Sequence, residues 1–274
     1  MKSKNTKVVL ICGASGGLGS FLTKKFLNNN YQVLAINRKK TNFKYSNYKE
    51  YYCNFEDHNL LKKVIIKIKN KFKKINIFIN TVAVPGSISH SYNKNINICK
   101  KTFDINFFSN IVLMPHLIDM LKKDKKNSSG GSIFFFSGGG ATTYPYGIRK
   151  NLTEYSCSKI ALIKYAECLS AEDTIKNNIN INVIAPGLLP TKITREILLR
   201  GKKFIVKEKM VLKKAFNLKS NTNLEKIYNL ISYLEKNKKI TGKIFSSIFD
   251  DLNILKKFAF NLDSFSLRRI LKSS

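Results

Sequence analysis

The chain has no run near the roughly 18 consecutive apolar residues that a membrane helix needs. Its first residues, Met1-Lys2-Ser3-Lys4, lead into a short apolar strand and a glycine loop rather than a signal-peptide core. A cytoplasmic protein without a membrane span is therefore expected. Cysteine is scarce and scattered: Cys12, Cys53, Cys99, Cys157 and Cys168 are odd in number and never form a CxxC pair, which argues against a disulfide framework or a zinc site. The three histidines, His58, His90 and His116, lack HxxxH spacing, so no metal centre is expected. Acidic residues are few, 17 against 49 Lys plus Arg, and the formal charge is +32. A concentrated basic patch would point to nucleic acid through counterion release. Here Lys, Asn and Ile are enriched together along the whole chain, so the excess reads as compositional. Nucleic acid is not expected as the partner, although the charge favours anionic ligands in general.

What is present is an alternation of two periodicities. Val8-Val9-Leu10-Ile11-Cys12 is a continuous, largely β-branched apolar run, the pattern of a strand covered on both faces in a parallel sheet. Val33–Ile36, a weaker run near Tyr51–Cys53, Ile75–Ile79, Ile133–Phe136 and Ile181–Ala185 continue the series. Helical stretches lie between them: Leu18–Leu27, Asn59–Phe72, Ile98–Leu121 and Ser156 to about Lys176. A helix at Asn223–Glu235 and a last strand at Lys243–Phe249 follow. The alternation predicts an α/β protein: a Rossmann-type, doubly wound parallel sheet of about seven strands flanked by helices. With 274 residues, 43% of them apolar, residues 1–274 are expected to form a single domain. Residues 192–218, helical and charged, are expected to be a substrate-covering insertion.

Gly13-Ala14-Ser15-Gly16-Gly17-Leu18-Gly19 directly follows the first strand and opens the first helix. Glycines there allow a tight turn and let the backbone approach a pyrophosphate, which then rests on the unpaired amides of the helix N-terminus. A nicotinamide dinucleotide is the expected ligand. An acid at the end of the second strand would bond the adenosine ribose, whereas a cation would accept a 2′-phosphate. The sequence has Asn37-Arg38-Lys39-Lys40, which favours NADP(H), with NAD(H) as the alternative and Arg38 as the phosphate contact.

A tyrosine four residues before a lysine occurs three times, as Tyr45/Lys49, Tyr146/Lys150 and Tyr155/Lys159. Only the last pair begins a long helical stretch after the fifth strand, where spacing by four places both side chains on one face. The chain resembles the short-chain dehydrogenase/reductase family in its shorter, single-domain branch. The resemblance rests on several motifs in order: Gly13, Gly17 and Gly19 as GxxxGxG, Asn80-Thr81-Val82-Ala83 after the fourth strand, Asn106 in FDINFF, Tyr155 and Lys159 as YxxxK, and Pro186, Gly187 and Thr191 in APGLLPT.

The resemblance implies hydride transfer between the nicotinamide and a ketone or secondary alcohol, a sugar or other polar metabolite among the candidates. Tyr155 would give or take the proton. Lys159 would favour its phenolate and hold the nicotinamide ribose, and Asn106 would help complete a proton path. The cofactor would be bound by Gly13, Ser15, Gly16, Gly17, Leu18, Gly19, Arg38, Asn54, Asn80, Tyr155, Lys159, Pro186, Gly187 and Thr191, the last fixing its carboxamide. Asn54 stands where the family has an acid.

The family's serine at the end of the fifth strand has no direct counterpart. Strand-to-strand alignment puts Gly138 there, Ser137 is one residue early, and Thr142 has the right distance to Tyr155. Ser137 is taken as the oxygen-binding hydroxyl, with Thr142 or no hydroxyl as alternatives. The SGGGAT run is similar to that of some bacterial reductases. The resemblance also implies a homo-oligomer, a tetramer or dimer, joined through the helices at Ile98–Leu121 and Ser156–Lys176. A nucleotide-binding regulatory protein that has lost turnover is the competing reading.

Overall fold

The computed structural model of the chain describes residues 6–123, 130–138, 141, 150–200 and 221–258. Seven strands, β1 (Val8–Cys12), β2 (Gln32–Asn37), β3 (Tyr48–Tyr52), β4 (Ile77–Asn80), β5 (Ser132–Phe136), β6 (Asn180–Ala185) and β7 (Lys243–Ser246), form one sheet of order β3-β2-β1-β4-β5-β6-β7. Every pairing in it is parallel. The described helices are α1 (Gly17–Asn28), α2 (His58–Phe72), α3 (Ile96–Phe103), α4 (Ser109–Leu121), α5 (Thr153–Asn177), α6 (Lys192–Arg200), α7 (Asn221–Lys236) and α8 (Leu252–Phe258).

The continuous apolar runs of the inner strands serve two cores at once. In β1, Leu10 and Cys12 pack with residues of α2, α4 and α5, whereas Val9 and Ile11 pack with α1 and α7. Period-two geometry sends successive side chains to opposite faces, so a strand sandwiched between helix layers must be apolar throughout. The edge strand β3 is released from that demand. None of its five residues is fully buried, which is why its sequence signal is weak and misplaced by a few residues.

Two other boundaries differ from the periodicity. The helix expected over Ile98–Leu121 is divided by a π-helical turn, Asp104–Phe108, between α3 and α4. Side chains occupy its carbonyls: Ser109 Oγ donates to Ile105 O at 2.7 Å and Asn110 Nδ2 donates to Asn106 O at 3.1 Å. The last strand stops at Ser246 because its hydroxyl accepts from the amides of Ile248 and Phe249, both at 3.3 Å, closing a side-chain turn. Of the expected insertion at 192–218, α6 forms the first part and residues 201–218 lie outside the described residues. Among the described residues no helix is long and apolar enough to cross a membrane.

The buried asparagines of β6 reach backbone groups outside their own strand. Asn182, fully buried, donates through Nδ2 to Ile240 O at 2.8 Å and accepts from Lys243 N at 3.2 Å, fixing the approach of β7 to β6. Asn182→Ala would leave both backbone groups short of a partner. It is expected to cost roughly 2–4 kcal/mol, read as a lower urea midpoint with an unchanged m-value.

Candidate active site

The strand order reverses between β1 and β4. A doubly wound sheet opens a crevice there, beyond the carboxyl ends of the strands. The glycine turn occupies it. Gly13 follows β1 with φ +87°, and a Cβ on it would lie 2.7 Å from Thr81 Oγ1, so the turn abuts the segment leaving β4. At Gly19 a Cβ would fall 2.2 Å from Gly13 O; the helix rests on its own turn, which only glycine permits.

Helix capping separates α1 from its neighbours. Asp57 caps α2 by accepting from Leu60 N, and Asn95 caps α3 by accepting from the amides of Asn97 and Ile98. The N-cap of α1 is Gly16, which has no side chain to offer. Ser15, Gly16 and Gly17 are exposed. An uncapped helix N-terminus reached through exposed glycines suits a phosphate, because the amide dipoles there favour negative charge. Thr191 reaches the same place from the segment after β6, with Cγ2 3.7 Å from where a Cβ on Gly17 would stand. That segment bends at Gly187, φ +68°, just after Pro186.

Arg38, Lys39 and Lys40 are exposed beyond β2, while Asn37 is buried and donates to Tyr48 Oη and Glu50 Oε2. The cationic run therefore begins where the chain leaves the sheet. Asn54 is exposed after β3. Asn80 is 5% exposed and turned into the scaffold: its Oδ1 accepts from Val82 N at 2.9 Å and its Nδ2 donates to Asn110 Oδ1 at 2.7 Å.

Asn106 lies in the π-helical turn with its side chain buried. The amide clamps Val84 in both directions, accepting from its N–H at 2.8 Å and donating to its carbonyl at 3.0 Å. Nδ2 also donates to Ser158 Oγ at 3.0 Å, and Ser158 donates to Tyr155 O at 2.8 Å. Asn110 and Ser158 thus belong to the network, although no motif singled them out. The available signal was their position, four residues after Asn106 and one before Lys159.

Lys159, one turn along α5 from Tyr155, is 3% exposed and donates to Phe136 O at the end of β5 at 2.9 Å. Its ammonium stands 5.9 Å from the Tyr155 ring centroid. Burial disfavours the charged form and brings the lysine pKa down to about 8. Gly138 lies against the tyrosine, and a Cβ on it would be 2.2 Å from Tyr155 Oη. Ser137, one residue earlier, is buried, and its amide continues the sheet by donating to Ile184 O. Thr142 lies outside the described residues.

A profile of the short chain dehydrogenase family matches residues 7–200. The chain belongs to the short-chain dehydrogenase/reductase family. Among curated relatives it is 26% identical over 204 residues to the benzil reductase ((S)-benzoin forming) of Saccharomyces cerevisiae, covering 70% of this chain and 74% of that one. It is also 26% identical over 214 residues to an 11-beta-hydroxysteroid dehydrogenase-like protein of Arabidopsis thaliana, covering 74% of this chain and 66% of the relative. Among solved structures, a short chain dehydrogenase family protein from Francisella tularensis superposes with a TM-score of 0.72 at 21% identity, covering 88% of this chain and 97% of that one. A Shigella flexneri short chain dehydrogenase complexed with NADP superposes with a TM-score of 0.69 at 18% identity, covering 89% and 98%.

The protein is thus an NAD(P)-dependent oxidoreductase. The nicotinamide, when bound, supplies or accepts the hydride, and the chain supplies orientation and proton handling. Burying the Lys159 ammonium carries a cost in stability. Below pH 8 its buried charged form destabilises the fold. Between about pH 8 and the ordinary lysine value the unfolded chain binds more protons than the folded one, so the wild type gains stability as pH rises. Lys159→Met is expected to raise Tm at pH 7 by roughly 2–5 °C. The gap should narrow above pH 8, as scanning calorimetry across pH 6–10 would show.

Proposed function

We propose that this reductase uses NADPH to reduce a ketone to a secondary alcohol on Tyr155. The carrying observation is the Lys159 ammonium, buried beside the Tyr155 ring at the carboxyl end of β5. A phenol with a pKa of about 10 is a slow acid or base near neutrality, and a cation beside it favours the phenolate. Tyr155 protonates the nascent alkoxide, Lys159 tunes that proton and holds the nicotinamide ribose, and Asn106 keeps the Val84 segment and α5 in register. The α1 turn and Thr191 hold the dinucleotide, and Arg38 accepts its 2′-phosphate. The exposed Arg38 and the NADP carried by the Shigella protein support the choice of NADPH over NADH. Benzil, the diketone named for the yeast relative, is the first carbonyl to try, followed by sugars and other polar ketones.

A nucleotide-binding role without turnover is the second reading. It is favoured by Gly138, which lies against Tyr155 Oη at the position where the family's serine aligns. Association into a dimer or tetramer through the α3–α4 stretch and α5 is also proposed, supported by Phe108 in the π-helical turn before α4 and Ile160 on α5, which are 44% and 36% exposed. Residues 1–274 are read as one cytoplasmic domain.

Fluorescence titration tests the cofactor. Arg38→Ala is expected to weaken NADPH by roughly 10- to 100-fold, the loss of one charge-assisted hydrogen bond, and to leave NADH unchanged. Tyr155→Phe is expected to bind NADPH normally and lose on the order of 10²- to 10⁴-fold in kcat. Wild-type turnover retained in that variant would assign the proton to another group. Gly138→Ser supplies the family's hydroxyl but forces its Cβ onto Tyr155, so a fall in kcat with unchanged NADPH affinity is expected. A gain in kcat would mean that the ring swings aside and that the missing hydroxyl had limited the enzyme.

A further inference from the structure

Glu154 precedes Tyr155 and is 3% exposed, a rare place for a carboxylate in a chain with 17 acids. Its polar partners among the described residues, Ser87 and Lys94, belong to the segment between β4 and α3. Its Oε1 accepts from Ser87 N at 2.7 Å and from the Ser87 hydroxyl. Its Oε2 stands 2.8 Å from Lys94 Nζ, whose side chain is 10% exposed. The same ammonium donates to Asn151 O at 3.1 Å and Ser87 O at 3.4 Å. Gly86 makes room for the arrangement: it has φ +71°, and a Cβ on it would lie 2.4 Å from Glu154 Cγ. Ser91 and Thr153 add a hydroxyl–hydroxyl bond at 2.7 Å. Burial pushes the Glu154 carboxyl up, but Lys94 and Ser87 outweigh it and hold the group below the usual glutamate value.

The segment from Val84 to Lys94 is therefore fastened to α5 on both sides of Tyr155. Asn106 ties Val84 to Ser158, three residues after the tyrosine. Glu154 ties Ser87 and Lys94 to the residue before it. A segment held at two points along the helix that carries a reacting residue is suited to set the approach of a substrate, and small displacements there are costly to rate.

We propose that Glu154 and Lys94 form a positioning pair that fixes the Ser87–Lys94 segment as the substrate-side wall opposite the Tyr155 hydroxyl, so that the pair governs use of the carbonyl and not binding of the cofactor. The inference rests on Tyr155 being the proton donor.

The test compares wild type with Glu154→Gln, Lys94→Met, Lys94→Arg and the double variant Lys94→Met/Glu154→Gln. Three readings are taken on each: NADPH Kd by fluorescence, Tm, and kcat and KM for benzil or whichever panel carbonyl the wild type reduces. Rates are expressed per NADPH-binding molecule. Glu154→Gln keeps an acceptor for the Ser87 amide but loses the charge. It is expected to lower kcat/KM for the carbonyl on the order of 10- to 100-fold, with the NADPH Kd within about twofold of wild type. Lys94→Arg should retain most activity. The double variant leaves no buried charge unpaired, so it should fold even if Lys94→Met does not, and should be no worse than the worse single variant because the two residues act as one unit.

Carbonyl kinetics within about threefold of wild type in Glu154→Gln and the double variant would reduce the pair to a stabilising contact and overturn the proposal. Parallel losses in NADPH affinity would do the same. A wild type that binds NADPH but reduces no carbonyl defeats the proposed reduction first, and the positioning role falls with it. Unimpaired variants of an active wild type defeat the positioning role alone.

Discussion

The side-chain amide of Asn106 is the joint on which the arrangement around Tyr155 turns. Both of its polar atoms are committed to the Val84 backbone, and its nitrogen also reaches Ser158 on α5. A buried amide with such partners fixes three elements at once, because leaving any of its atoms unpaired would cost its full desolvation penalty. Asn106 stands in the π-helical turn, Asp104–Phe108, that divides α3 from α4. Asn80 and Asn110 extend the network to the end of β4. The carboxyl end of β4, the broken helix and the start of α5 are thus joined by one hydrogen-bond network.

This rigidity is bought with buried polarity. Lys159 and Glu154 are both nearly inaccessible, and each sits within one turn of Tyr155. Lys159 donates to the Phe136 carbonyl, and its burial makes the charge expensive and lowers its pKa to about 8. Glu154 has a cation and two donors from Ser87, so its charge is held. Lys159 and Glu154 are therefore displaced from their ordinary values for opposite reasons, Lys159 because burial disfavours its charge and Glu154 because Lys94 and Ser87 outweigh its burial.

Much of the architecture could be read in advance because a doubly wound sheet constrains sequence on both faces. The apolar runs at Val8–Cys12 and Ile133–Phe136 have no other economical explanation than two covering helix layers. The glycine turn was legible for a related reason. Gly13 and Gly19 lie where a Cβ would strike Thr81 or the turn's own carbonyl, so the geometry forces the residue type. The exposed edge strand β3 was poorly legible, since half-buried positions accept many side chains.

The sequence by itself determined the order of strands and helices, the parallel sheet, the glycine turn and the family, because each depends on local periodicity or on backbone positions that tolerate few residues. Only the tertiary structure decided what surrounds Tyr155. The approach of Gly138 to its hydroxyl, the meeting of Glu154 with Lys94, sixty residues earlier in the chain, and the turn of Asn106 toward Val84 are long-range contacts. Such contacts arise from how layers pack and leave no period in the sequence. A lysine-rich composition hides them further, since Lys94 looks like any other of the 49 basic residues until a buried carboxylate is found against it.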